Sequence, residues 1–198
     1  LALLEDEEGL TPLAQLCHSP HGSTHLVRLL LSHGVDKVMS GGHCNPLLYA
    51  VQRDSVDTVA LLLEEASAAK YIEVRSTRGH TPLMHAALYA HSGESVALLV
   101  RHGASFSTLS GDHLDTAVTL AARRGNILVL RAMLERGGDP AERVSHGHGH
   151  HIKLNESALI VCARNCSTEG TLLCLEYIHG TAALFDAVAF MQVCSLLY

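Results

Sequence analysis

One short motif recurs five times along the chain and restricts what the chain can fold into. Each copy joins a polar residue to Pro or Ala and then to an apolar residue, and the polar anchors are Thr11, Asn45, Thr81, Thr116 and Ser157. Thr, Ser and Asn side chains cap the free N–H groups at a helix start, and Pro fits the first helical position. Anchor separations of 34, 36, 35 and 41 residues predict a stack of similar units.

Two helices are predicted in each unit. Mostly small residues follow the anchors, where they let neighbouring helices approach closely: Ala50-Val51, Ala86-Ala87, Ala121-Ala122 and Cys162-Ala163. A second apolar helix is predicted within residues 26–31, 59–63, 96–100, 127–134 and 172–178. Gly34, Gly103 and Gly137 follow second helices, where glycine closes a helix in the left-handed conformation.

This pattern resembles the ankyrin repeat family. The matching residues include Thr81-Pro82-Leu83 with Ala86-Ala87, and Thr116 with Ala121-Ala122 and Gly137-Gly138-Asp139. The resemblance covers about residues 9 to 180, as repeats at about 9–38, 43–72, 79–108, 114–142 and 155–180. It implies an all-α fold, in which helix–turn–helix repeats stack into a single solenoid domain over residues 1–198, with β-hairpin-like fingers between repeats.

Several positions depart from the family pattern. The usual His after Thr-Pro-Leu is replaced in every unit, by Ala14, Leu48, Met84, Thr119 and Ile160. His85 lies one place later, and Ala66 stands where a closing glycine is expected.

Residues 181–198 are apolar nearly all round, which predicts a buried C-terminal helix. Because the chain does not begin with Met, we expect it to be part of a longer polypeptide.

Composition narrows the range of partners and compartments. A formal net charge of −6 disfavours a general nucleic-acid binder. The apolar stretch 181–198 is interrupted by Asp186, Gln192 and Ser195, so we expect no membrane span. The six cysteines do not form a dense disulfide framework, which predicts reduced thiols and an intracellular, most simply cytoplasmic, protein.

No catalytic motif with a defined mechanism is present, so we predict neither enzymatic activity nor a cofactor. Four histidines lie close together, at His146, His148, His150 and His151. They are weak metal candidates, because the alternating glycines oppose a fixed geometry, and a solvated finger is favoured over a purposeful site. Cys162 and Cys166 are four residues apart, and packing is favoured there over metal binding.

The resemblance implies that a partner binds the concave face, which consists of the finger tips and the ends of the first helices. The residues there are Arg53, Arg78, His80, Tyr89, Arg123, Arg124 and Arg164. Arg and Tyr are enriched at binding hot spots, so we expect a scaffold or adaptor module that binds an acidic segment of another protein. We expect Arg123 and Arg124 to point away from the core, so that reversing their charge leaves the fold intact. A regulatory or targeting domain of a larger enzyme, and a metal-binding protein, remain alternatives.

Overall fold

The computed structural model describes residues 6–7, 9–19, 22–33, 45–64, 71–111, 115–142, 145–146, 153–154 and 156–178. The predicted C-terminal helix over 181–198 lies outside these residues, as do Gly34 and Ala66.

Ten α-helices lie within the described residues, and they form five pairs. The pairs are α1 (Pro12–His18) and α2 (Thr24–Ser32), α3 (Pro46–Gln52) and α4 (Val56–Glu64), α5 (Pro82–Tyr89) and α6 (Glu94–Arg101), α7 (Ala117–Arg124) and α8 (Ile127–Leu134), and α9 (Ala158–Arg164) and α10 (Thr168–Glu176). Each first helix begins directly after one anchor. The helical repeat fold predicted from the sequence is therefore confirmed.

The anchors start the first helices as their chemistry requires. In all five units the anchor side chain accepts a hydrogen bond from a backbone N–H in the first turn. At Thr81 the bond is reciprocal, because its own N–H donates to the sulfur of Met84 at 3.4 Å. A thioether thus satisfies a helix-end donor from the position where the family usually has His.

Each helix pair packs on the next. The first helices α1, α3, α5, α7 and α9 contact one another in sequence, and the second helices do the same. Ala86, Ala87 and Ala121 at the first-helix contacts are fully buried. Small side chains therefore set the close approach, and one continuous core runs through the stack.

Polar side chains also join neighbouring units at the turns between paired helices. Asp54 has a φ of 51°, a left-handed conformation that Asp tolerates better than most residues. Its carboxylate accepts hydrogen bonds from the N–H groups of His91 and Ser92 at 2.9 and 3.0 Å, and from the Ser95 hydroxyl at 2.7 Å. One carboxylate of the second unit thus holds the inter-helix turn of the third.

The fingers have hairpin-like hydrogen bonding. Ser76 N–H donates to the His80 carbonyl at 2.9 Å, and Ser110 N–H donates to the Asp115 carbonyl at 2.9 Å. In the longest finger, β1 (Ser145–His146) pairs antiparallel with β2 (Lys153–Leu154). The prediction of β-hairpin-like fingers is confirmed in these places.

Neighbouring fingers touch through two glycines. Gly79 has a φ of +72°, and a Cβ built on it would lie 2.5 Å from the backbone nitrogen of Gly111. Gly103 also has a positive φ, of +93°, but a Cβ there would have nothing within 4 Å. The two positions separate the cost of backbone strain from the cost of finger contact.

Gly79→Ala is expected to lower the free energy of unfolding by about 2–4 kcal/mol, because it combines left-handed strain with a backbone clash. Gly103→Ala, the matched control, is expected to cost only about 1–2 kcal/mol from the strain alone. Urea denaturation followed by circular dichroism measures both. Equal losses for the two variants would contradict the finger contact.

Candidate partner-binding surface

Five of the seven predicted binding residues lie at the ends of neighbouring first helices. Arg53 caps α3, Tyr89 ends α5, Arg123 and Arg124 end α7, and Arg164 ends α9. We call this set the first-helix row. Because these helices pack side by side, the stack brings together residues that are far apart in sequence. The four positions occupied by Arg53, Arg123, Arg124 and Arg164 are exposed, and Tyr89 is half-buried.

Arg123 is not a free cation. Its guanidinium donates to Asp115 Oδ1 at 2.9 Å, and the Arg123 side chain is 44% exposed whereas that of Asp115 is only 3% exposed. The other oxygen, Asp115 Oδ2, is buried without a hydrogen-bond partner. Arg123 therefore does point outward, but because it also compensates Asp115 we now expect reversal of its charge to destabilise the fold. A glutamate there would face a buried carboxylate.

Arg164 repeats this arrangement in the next unit, where it pairs with Glu156. Asp115 and Glu156 each stand directly before the anchor of their unit, eight residues before the arginine that they hold. Sequence reasoning missed both carboxylates. A sequence pattern could have indicated both ion pairs. In the two units that carry Arg seven residues after the anchor, an acidic residue stands directly before the anchor.

Other arginines of the predicted surface are not neutralised by a carboxylate of the described residues. Arg53 at the C-terminal cap of α3 and Arg78 in a finger are both exposed. Within the part of the chain that the structure describes, neither side chain has a carboxylate partner. Arg124 donates from Nε to the Leu88 carbonyl at 3.2 Å, which positions its guanidinium beside the end of α5 without neutralising it. Positive charge is therefore concentrated around the third unit.

Rings of the third unit lie between these cations. His85 and Tyr89 are four residues apart on α5 and so share one face. Their ring centroids are 5.6 Å apart, and the His80 ring lies 6.0 Å from that of His85. Both ring nitrogens of His85 are buried and have no hydrogen-bond partner. The hydrogen bond that the family makes from its histidine is therefore not made by His85.

The pKa of His85 reflects this environment. Burial, with smaller contributions from the neighbouring His80 and Arg78, lowers this pKa from 6.5 to about 4. His85 is therefore neutral at pH 7 and acts as an apolar ring in the surface. A ring at this position could have been expected from the sequence, because Tyr49 of the preceding unit lies, like His85, four residues after its anchor. The Tyr49 ring packs edge-on against the His18 ring, with centroids 4.9 Å apart.

The predicted metal candidates fall mostly outside the described residues. His146 belongs to β1 by its backbone, whereas His148, His150 and His151 are not described. Among the residues that are described, no group of three or more His, Cys, Asp or Glu is arranged to hold a metal ion. Cys162 is buried as the packing interpretation requires, but Cys166 is exposed in the inter-helix turn, so packing does not explain it. No helix in the described ranges is long and apolar enough to cross a bilayer.

The stacked helix pairs and fingers define a helix–turn–helix repeat solenoid, and comparisons identify its family. The profile described as "Ankyrin repeats (3 copies)" matches residues 2–74, and that described as "Ankyrin repeat" matches residues 78–109. The chain belongs to the ankyrin repeat family. Two further helix pairs of the same build, α7–α8 and α9–α10, follow the matched residues.

Two relatives are similar to this chain over much of its length. The chain is 32% identical over 136 residues to the ankyrin repeat and KH domain-containing protein mask-1 of Caenorhabditis elegans, which covers 68% of this chain. It is 33% identical over 97 residues, or 49% of its length, to a putative ankyrin repeat-containing protein of Treponema pallidum. The matches span only 4% and 31% of the lengths of these relatives.

Arg123→Ala is expected to destabilise the chain by about 1–3 kcal/mol, because it leaves the buried Asp115 carboxylate uncompensated. Arg164→Ala is the matched control, and its loss should stay below about 1 kcal/mol because Glu156 is solvated. Chemical denaturation of both variants tests the difference. A loss at Arg164 as large as that at Arg123 would refute the structural role given to Asp115.

The lowered pKa of His85 predicts a pH dependence of stability. Between pH 6.5 and 4 the unfolded chain protonates this residue while the folded chain does not, so stability falls as the pH falls through this range. The contribution of His85 to that fall is up to about 3 kcal/mol. In His85→Leu, which removes the titration, unfolding midpoints measured across the range should fall less steeply. Parallel curves for the two proteins would show that His85 is not buried as a neutral ring.

Proposed function

We propose that this chain is a protein–protein interaction module of the scaffold or adaptor type, which binds an acidic segment of a partner protein. Ankyrin repeats are generally interaction modules. The binding surface is the first-helix row together with the adjoining finger residues Arg78 and His80. Arg offers a planar fork that grips a carboxylate through two hydrogen bonds.

The main support for the proposal is that carboxylates of the described residues neutralise some arginines of this surface and leave others unpaired. Arg123 and Arg164 are held by the carboxylates of their own units, whereas Arg53, Arg78 and Arg124 have no carboxylate partner within the described residues. Arg78 and Arg124 lie beside the third unit, and Arg53 ends the preceding first helix, on a chain of net charge −6. A local charge opposite to the global one favours an acidic partner and steers its approach.

The same considerations support a non-catalytic and intracellular role. The chemistry assigned to the row is reversible binding through charge and ring contacts, and it needs neither a cofactor nor a nucleic acid. The described cysteines Cys17, Cys162, Cys166 and Cys174 are free thiols, which fits a reducing compartment such as the cytoplasm. In a longer chain such a module would serve to recruit or position other domains.

Arg124→Glu is expected to slow association with a captured partner by about threefold to tenfold and to flatten its salt dependence, because charge steering is lost. The fold should be unchanged, since Arg124 holds only a carbonyl. Arg28→Glu, on the exposed face of α2, is the matched control and should have little effect. Association rates measured at low and high ionic strength test this.

Two outcomes would count against the assignment. If Arg28→Glu slows association as much as Arg124→Glu, the effect comes from net charge and not from this surface. If neither substitution changes the rate or its salt dependence, the first-helix row does not bind the partner.

A further inference from the structure

Three residues of the first-helix row share one register. Arg53, Tyr89 and Arg124 are each the eighth residue after the anchor of their unit. Since α3, α5 and α7 pack side by side, Tyr89 lies between the two arginines. The row therefore presents a cation, a ring and a cation in that order.

The central position is a ring platform and not a polar gap. Tyr89 lies against His85 with ring centroids 5.6 Å apart and a tilt of 39° between the planes. Within the described residues the Tyr89 hydroxyl has no hydrogen-bond partner, and it is not among the buried unpaired atoms, so its polar end is open to solvent. A rigid ring of this kind is a typical anchor point for an apolar residue of a partner.

The spacing of the units sets the spacing of the ligand. Packed helices lie about 8–10 Å apart, so the two arginines, two units apart, are separated by about 16–20 Å. A chain in the polyproline II conformation advances about 3.1 Å per residue and, with three residues per turn, presents every third side chain to the same face. A segment lying along the row therefore covers the distance between the cations in about five or six residues.

We propose that the partner segment lies along the row in a polyproline II conformation, with an aromatic or large apolar residue at its centre and an acidic residue three positions away on each side. The central residue packs on Tyr89 and His85, and the acidic residues meet Arg53 and Arg124. This inference rests on the proposed function and specifies its ligand. The segment needs no third acidic residue at the end of α7, because Arg123 there is already paired with Asp115.

The test uses synthetic peptides with the intact 198-residue chain. The probe is Gly-Glu-Ser-Ala-Phe-Ala-Ser-Glu-Gly, with both ends blocked and a fluorescent label, and binding is followed by anisotropy. Three matched peptides replace Phe by Ser, replace both Glu by Gln, or move both Glu next to Phe. Each replacement is expected to weaken binding by about tenfold or more, as loss of an anchor or a charge pair does at an interface.

Variants of the chain place the effect on named residues. Tyr89→Ala should weaken binding of the Phe peptide about tenfold and leave binding of the Ser peptide unchanged. Arg53→Glu should weaken binding of the probe, which carries Glu, and should not weaken binding of the peptide in which both Glu are replaced by Gln. Arg101→Glu, exposed at the end of α6, is the matched control and should have no effect.

The outcomes separate this inference from the proposed function. Equal binding of the Phe and Ser peptides would overturn the ring anchor while leaving acidic recognition in place. Equal binding of the spaced and adjacent Glu peptides would overturn the register. If no peptide binds, the inference is wrong, while the association rates of the Arg124→Glu variant with a protein partner still decide the proposed function independently.

Discussion

The structure depends on one constraint, which is that each helix pair buries its apolar faces only against its neighbours. Ala86, Ala87 and Ala121 have essentially no exposed surface, so the separation of adjacent units is set by close backbone approach. The same approach brings Asp54 within hydrogen-bond distance of the next inter-helix turn. A unit of this kind has no core of its own, and its stability is that of its contacts.

Stacking also creates the surface. Residues about 35 positions apart in sequence become neighbours, so a chemical pattern can be read across units instead of along the chain. In the fourth and fifth units, the position before the anchor and the seventh position after it face each other, and the acidic and basic residues there pair. The arginines at the eighth position have no such partner among the described residues. The charges of Arg53 and Arg124 are therefore not neutralised by a carboxylate, whereas those of Arg123 and Arg164 are.

The parts of the fold that depend on local chemistry could be predicted from the sequence. Anchor caps such as Thr81 and Thr116 act within one helical turn, so the starts of the first helices were predictable to the residue. The charge pairs were not predicted, because they depend on how a side chain crosses the face of its own helix. The burial of His85 was also missed, since it arises from neighbouring units and from a finger that sequence spacing does not position. The Arg and Tyr positions of the row were predicted by register, but their relative importance required the structure.

The most direct test of the account is hydrogen–deuterium exchange of the chain with and without a protein partner. If the partner binds around the third unit, protection should appear at the ends of α3, α5 and α7 and in the finger that carries Arg78, with little change in α9 or in the second helices. Protection centred on α9, or spread along α2, α4, α6, α8 and α10, would contradict the central claim that the unneutralised part of the first-helix row is the binding surface.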